Sequence, residues 1–115
     1  MITENERTSE RAYAVQVRDC EEADPELKNV SANDLREKEI ATETVLEREL
    51  HELDYFLETK KHLDRKNVTL CAGSRDVHGS VPDADWCGDK FQVSANWYDP
   101  SASHDDLRAR AVVSV

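Results

Sequence analysis

Glycine, proline and cysteine are scarce in this chain of 115 residues, with three of each. Three scattered glycines leave no loop to cradle a phosphate, which excludes the P-loop and the dinucleotide fingerprint. The cysteines include no C-x-x-C, so the paired ligand spacing of a closed zinc site is missing. No apolar run approaches the roughly 20 residues of a membrane span. There is no internal repeat and no low-complexity tract. The opening "MITENERTSE" carries no charged-then-apolar leader, so a reducing, cytoplasmic setting with free thiols is the expectation.

Charge, in contrast, is abundant: 35% of the residues are charged and the net charge is −10. The excess is confined to one half. Residues 1–58 hold 17 acidic and 7 basic side chains, whereas residues 59–115 hold 8 of each. Such a surface repels phosphates, which excludes direct nucleic-acid and anionic-membrane binding and suits a protein partner with a basic surface. Net charge also serves solubility alone. A chain of this length can bury a core without a staple. The expected organisation is a flexible N-terminal tail over residues 1–10, then a single α+β domain over 11–115.

The strongest pattern covers residues 32–66, where no glycine or proline interrupts a helical repeat. Ser31 and Asp34 have the spacing of a capping box, and Asn67 suits a left-handed stop. Acidic residues open the segment and Lys60, Lys61, His62, Arg65 and Lys66 close it, which complements a helix dipole. Leu35, Val45, Leu46, Leu50, Leu53, Phe56, Leu57 and Leu63 share one face. Within it, Leu46, Leu50, Leu53 and Leu57 have the 4-3-4 spacing of a coiled-coil seam, about two heptads long. The stripe is expected to pack on a sheet, or to serve as an oligomer contact such as a homodimer seam. A single helix of this length would run about 50 Å, too long for a compact domain of this size. It is therefore either broken near residues 39–43 or packed in part on another subunit.

Period-two alternation marks strands on either side. Tyr13, Val15 and Val17 alternate in "RAYAVQVRDC". "NVTLCA" is a short strand. In "KFQVSANWY", Phe91, Val93, Ala95 and Trp97 face one way, and in "LRARAVVSV" Leu107, Ala109, Ala111, Val113 and Val115 do. The fold class is α+β, one long amphipathic helix on a small, mostly antiparallel sheet in the order β-α-β-β-β.

The segment "TLCAGSRDVHGSVPDADWCGDKF" offers Cys71, His78 and Cys87 as metal ligands, with Asp83 and Asp85 as oxygen donors. Zinc there needs a fourth ligand from elsewhere. A Cys71–Cys87 disulfide across the loop is the second reading, and two reduced thiols at strand ends are the third. "DADWCGDKF" resembles the W-C-G-E-F close of short cysteine-rich proteins of bacteria and their phages. That resemblance implies a metal-binding knuckle with Cys87 as the last cysteine and Cys71 before it. The C-x-x-C and the prolines of that pattern are absent from this chain.

No nucleophile and base stand at a spacing that implies catalysis, so the expectation is a non-catalytic protein without a cofactor. His51 and His62 fall on the polar helix face and are expected in solvent; Trp97 is expected in the core. Trp86 is read as a lid or as an anchor for a partner. Glu43, Glu47, Asp54 and Glu58 lie within about 60° of one another, a line of carboxylates about 22 Å long. Such a row can imitate a nucleic-acid backbone and occupy a basic groove. The function that follows is an acidic protein–protein interaction domain, including an inhibitor of a nucleic-acid-binding protein. The alternatives are the metal module and a structural subunit of an oligomer.

Overall fold

A computed structural model describes residues 1–8, 10–88 and 92–115. Its fold class is α+β. In chain order it has β1 (Ile2–Asn5), β2 (Val15–Gln16), a 3-10 turn at Pro25–Leu27, α1 (Ala32–Glu37) and α2 (Val45–Thr59). Then follow β3 (Val68–Leu70), β4 (Ser74–Asp76), β5 (Val81–Cys87), β6 (Gln92–Ser94), β7 (Trp97–Tyr98), β8 (Leu107–Arg108) and β9 (Val113–Ser114).

Residues 32–66 do not form one helix. Ser31 caps α1 as its spacing predicts: the Asp34 amide donates to Ser31 Oγ at 3.0 Å, and the Ser31 amide to Asp34 Oδ2 at 3.1 Å. The helix then closes in a Schellman turn without glycine. Glu39 takes the left-handed conformation at φ 56°. Its amide donates to the Arg36 carbonyl, and the Ile40 amide reaches back to the Leu35 carbonyl at 3.0 Å. A second capping box starts α2. The Glu47 amide donates to Thr44 Oγ1 at 3.2 Å, and the Thr44 amide to Glu47 Oε1 at 2.9 Å. Lys60 ends it in the left-handed region at φ 64°, well before Asn67. Fifteen residues make α2, about 22 Å long, which fits a molecule whose longest extent is 35 Å.

The central sheet has the order β6-β5-β3-β8, with β7 also on β5. β5 runs antiparallel to β3 through Thr69↔Ala84 and Leu70↔Asp83, and β8 is parallel to β3. Two smaller antiparallel pairs, β1–β4 and β2–β9, stand beside it. The apolar core collects Leu27, Leu35, Leu70, Val81, Leu107 and Ala109. Among the described residues, α2 adds nothing to that cluster.

Several sequence expectations change. Residues 2–5 form β1, not a flexible tail, because its backbone pairs with β4 and the Glu6 amide donates to the Gly73 carbonyl at 2.8 Å. The strand expected over 11–20 shrinks to β2. "KFQVSANWY" splits into β6 and β7, and Phe91 lies outside the described residues. The last strand splits into β8 and β9, and Ala111 between them bridges to Thr42. Trp97 is 49% exposed and is not core.

Gly73 sets where α2 begins. A Cβ there would stand 2.7 Å from the Thr42 carbonyl oxygen, so only glycine permits this approach. The gain is two backbone ties: Gly73 N to Glu43 O at 3.1 Å, and Val45 N to Ser74 Oγ at 2.9 Å.

Candidate functional site

Helix α2 lies the opposite way round from expectation. Its leucine stripe does not pack on the sheet: Leu46, Leu50, Leu53 and Leu57 are 48%, 56%, 55% and 59% exposed. Arg48 and Glu52 are buried instead. Eleven residues separate Leu46 from Leu57, so the outward ridge is about 16 Å long.

A charged interior holds the helix in this rotation. Asp64, at no solvent exposure, accepts from Arg48 Nε at 3.0 Å and from Arg110 Nη2 at 2.8 Å. The Thr69 hydroxyl also donates to it. Arg110 Nη1 and Nη2 reach the carbonyls of Cys20 and Glu21 at 2.9 and 2.8 Å. Glu52 receives Arg48 Nη1 at 3.3 Å and the Leu63 amide at 3.0 Å. Turning the leucines inward would strip Arg48 and Glu52 of these partners and leave bare charges in the interior, which costs several kcal/mol.

His51 on α2 and His62 just past its end each pair with a buried glutamate and are not free in solvent. His62 Nδ1 lies 2.7 Å from Glu52 Oε1. Its ring stacks 3.5 Å from Trp86 and 4.8 Å from Phe56. Trp86 is therefore a half-buried lid over His62. His51 Nδ1 lies 3.0 Å from Oε2 of the buried Glu43. Among the described residues Glu43 Oε1 has no hydrogen-bond partner, and Arg110 Nε stands 3.9 Å from it.

The expected row of four carboxylates is thus reduced to two. Glu43 is 1% exposed, and Glu47 is buried as well. Glu47 is gripped by Arg7 Nε and Nη2 at 2.7 and 2.8 Å and by the Tyr13 hydroxyl at 2.7 Å. Burial opposes its ionisation. The hydrogen bonds from Arg7, the Thr44 amide and Tyr13 outweigh that and hold the carboxyl below its ordinary range. Asp54 and Glu58 remain exposed on the flank of the ridge.

A groove runs between α2 and residues 11–19. One part, about 640 Å³, is walled by Tyr13, Val15, Val17, Leu46 and Leu50, with His51 and Glu43 also lining it. The adjoining part, about 510 Å³, is lined by Asp19, Asp54, Tyr55 and Glu58. Val15, Val17, His51 and Asp54 border both.

Cys71, His78 and Cys87 do not converge. The Cys71 amide donates to the Pro82 carbonyl, and Cys87 is five residues further along β5, about 16 Å away at strand spacing. That distance also rules out the disulfide; the three cysteines are free. His78 sits exposed in the β4–β5 turn. Among the described residues no group of three or more His, Cys, Asp or Glu is arranged to hold a metal. Burial pushes the Cys71 thiol well above its ordinary range, and Glu43 adds to this, so it is a poor nucleophile. No helix among the described residues is long and apolar enough to cross a membrane.

Sequence reasoning missed the inward network, the clamp on Glu47 and the groove. Only one signal for them was local: "TVLE" at Thr44–Glu47 is a capping-box sequence that marks a helix start inside the supposed long helix. No family model, no curated protein and no solved structure matches this chain.

Proposed function

We propose that this is a non-catalytic interaction domain that binds a protein partner presenting an apolar segment flanked by basic residues. The observation that carries this reading is the outward leucine ridge of α2, locked in place by the buried ions behind it. Burying a leucine fully is worth about 1.5–3 kcal/mol, and roughly half remains to be gained at each of the four positions on docking. Asp54 and Glu58 beside the ridge, and the net charge of −10, select a basic partner over an acidic one. Occupying a basic surface in this way makes the domain an inhibitor of the partner that bears it, in competition with whatever that surface normally binds.

A homodimer is the second reading, favoured by the spacing of the ridge. The intervals 4-3-4 read the same in both directions. An antiparallel pair about a two-fold axis would set Leu46 against Leu57 and Leu50 against Leu53. It would also bring like charges together, which is why a basic partner is preferred.

The test is titration with a synthetic helical peptide carrying leucines on one face and lysines beside them. Binding should weaken with added salt and be abolished by Leu50→Glu with Leu53→Glu, while thermal stability changes by less than about 0.5 kcal/mol. No binding by the wild-type protein, or equal binding by the double variant, rejects the reading. A mass in light scattering that doubles with concentration, and reverts in the double variant, replaces it with the homodimer.

A further inference from the structure

Beside the ridge, the groove between α2 and residues 11–19 changes character along its length. Its first part is walled chiefly by apolar side chains, with Arg11, Glu43, Glu47, His51 and Asp54 also lining it. Its second part is lined by three exposed carboxylates, Asp19, Asp54 and Glu58, and among the described residues by no lysine or arginine. At the junction stands His51, whose side chain is only 10% exposed. The buried carboxylate of Glu43 accepts from Nδ1 at 3.0 Å. That contact fixes the orientation of the ring and leaves Nε2 as the ring nitrogen that Glu43 does not engage. Behind it, Glu43 Oε1 has no hydrogen-bond partner among the described residues, and Arg110 Nε stands 3.9 Å from it.

These features define an acceptor site with a hydrocarbon approach. An ammonium or guanidinium on a flexible stem matches it, because such side chains lay their methylenes on apolar surface and keep the charge at a polar edge. A carboxylate or phosphate would meet three carboxylates at the acidic end, which repel it. We infer that the groove seats a lysine or arginine side chain of the partner, its stem against Val15, Val17 and Leu50, its charged head among His51, Asp54 and Glu58. This inference rests on the reading of the ridge as a docking surface and supplies its specificity. The ridge takes the apolar face of the partner, and the groove selects the cation beside that face.

The groove can be probed without the partner. n-Hexylammonium, n-hexanol and hexanoate are titrated in turn against the full chain. The imidazole C–H signals are followed by NMR, and that of His51 is identified by its loss in His51→Gln. Hexylammonium should shift the His51 signal saturably, hexanol more weakly, and hexanoate not at all. Asp54→Asn with Glu58→Gln should weaken the hexylammonium response by about fivefold, the sum expected of two exposed carboxylates. Equal responses to the three probes, no response to any, or an unaltered titration in the double variant overturns the inference. The peptide arm fixes the source of the cation. Replacing the lysines of the helical peptide one at a time by norleucine should weaken binding at one lysine by about tenfold or less, in the range of a partly exposed charge pair. If every replacement is neutral while hexylammonium binds, the site takes a free amine and not a partner side chain. If no peptide binds yet hexylammonium does, the ridge reading fails and the chemistry of the groove stands.

Discussion

Asp83 is the clearest place to test how burial without a cation acts in this fold. It lies in β5 at 1% exposure. Its Oδ1 accepts from the Asn96 amide at 2.7 Å, and its own amide donates to the Asn96 carbonyl at 2.9 Å. Among the described residues it has no ion-pair partner. Burial drives its carboxyl up to about 6, with Asp85 adding repulsion and the bonds from Asn96 and Tyr98 opposing. Between the unfolded value near 3.8 and about 6, the native state holds a proton that the unfolded chain has released. Stability therefore falls as pH rises through that window, and above it the penalty is fully present. A shift of roughly two units corresponds to about 3 kcal/mol, and screening by nearby solvent reduces the usable part to about 1–2 kcal/mol. Asp83→Asn keeps the acceptor for the Asn96 amide and removes the charge. Urea denaturation at pH 7.5 should show the variant more stable by about 1–2 kcal/mol, and at pH 4 the two proteins should be equal. A variant that is less stable at pH 7.5, or a difference that does not change with pH, refutes the assignment of the penalty to desolvation.

Two other substitutions probe the frame around the candidate site. Asp64→Ala leaves Arg48 and Arg110 buried without their shared carboxylate, so it should cost about 3–5 kcal/mol in chemical denaturation; a loss below 1 kcal/mol would mean that water or another carboxylate replaces it. Gly73→Ala forces a methyl against the backbone oxygens of Thr42 and Glu43, at 2.7 and 3.0 Å. It should lower stability by about 1–3 kcal/mol and raise amide exchange at the start of α2, whereas an unchanged melting curve would refute the close approach.

Much of the fold was legible, and the places where it was not have physical reasons. The Ser31–Asp34 box was legible because capping is a local contact. A break near residues 39–43 was legible as one of two alternatives, but its form was not, because Glu39 takes a left-handed conformation that side chains other than glycine occupy at a cost of about 1–2 kcal/mol. What offsets it is tertiary: Ile40 lands on the core beside Leu35. The leucines of α2 were assigned correctly to one face. Periodicity, however, states which residues share a face and not which way that face looks. Here the decision belongs to Asp64, which lies inside the segment read as helix but folds back beneath α2, and to Arg110, distant in sequence and invisible to any window around the helix. The Glu43 and Glu47 carboxylates were read as a surface row for the same reason. Arg7, Tyr13 and Arg110, which draw them inward, come from both ends of the chain.

Glu47 concentrates three duties in one side chain. It completes the cap of α2, grips Arg7 and receives the Tyr13 hydroxyl. The amino-terminal strap and the first turn of the helix consequently share a single fastener. Because Tyr13 and Val15 on that strap form one wall of the groove, losing Arg7 and the Tyr13 hydroxyl together would unbutton the wall and leave Glu47 held by the helix cap alone. The width of the crevice is thus governed from the chain's own beginning.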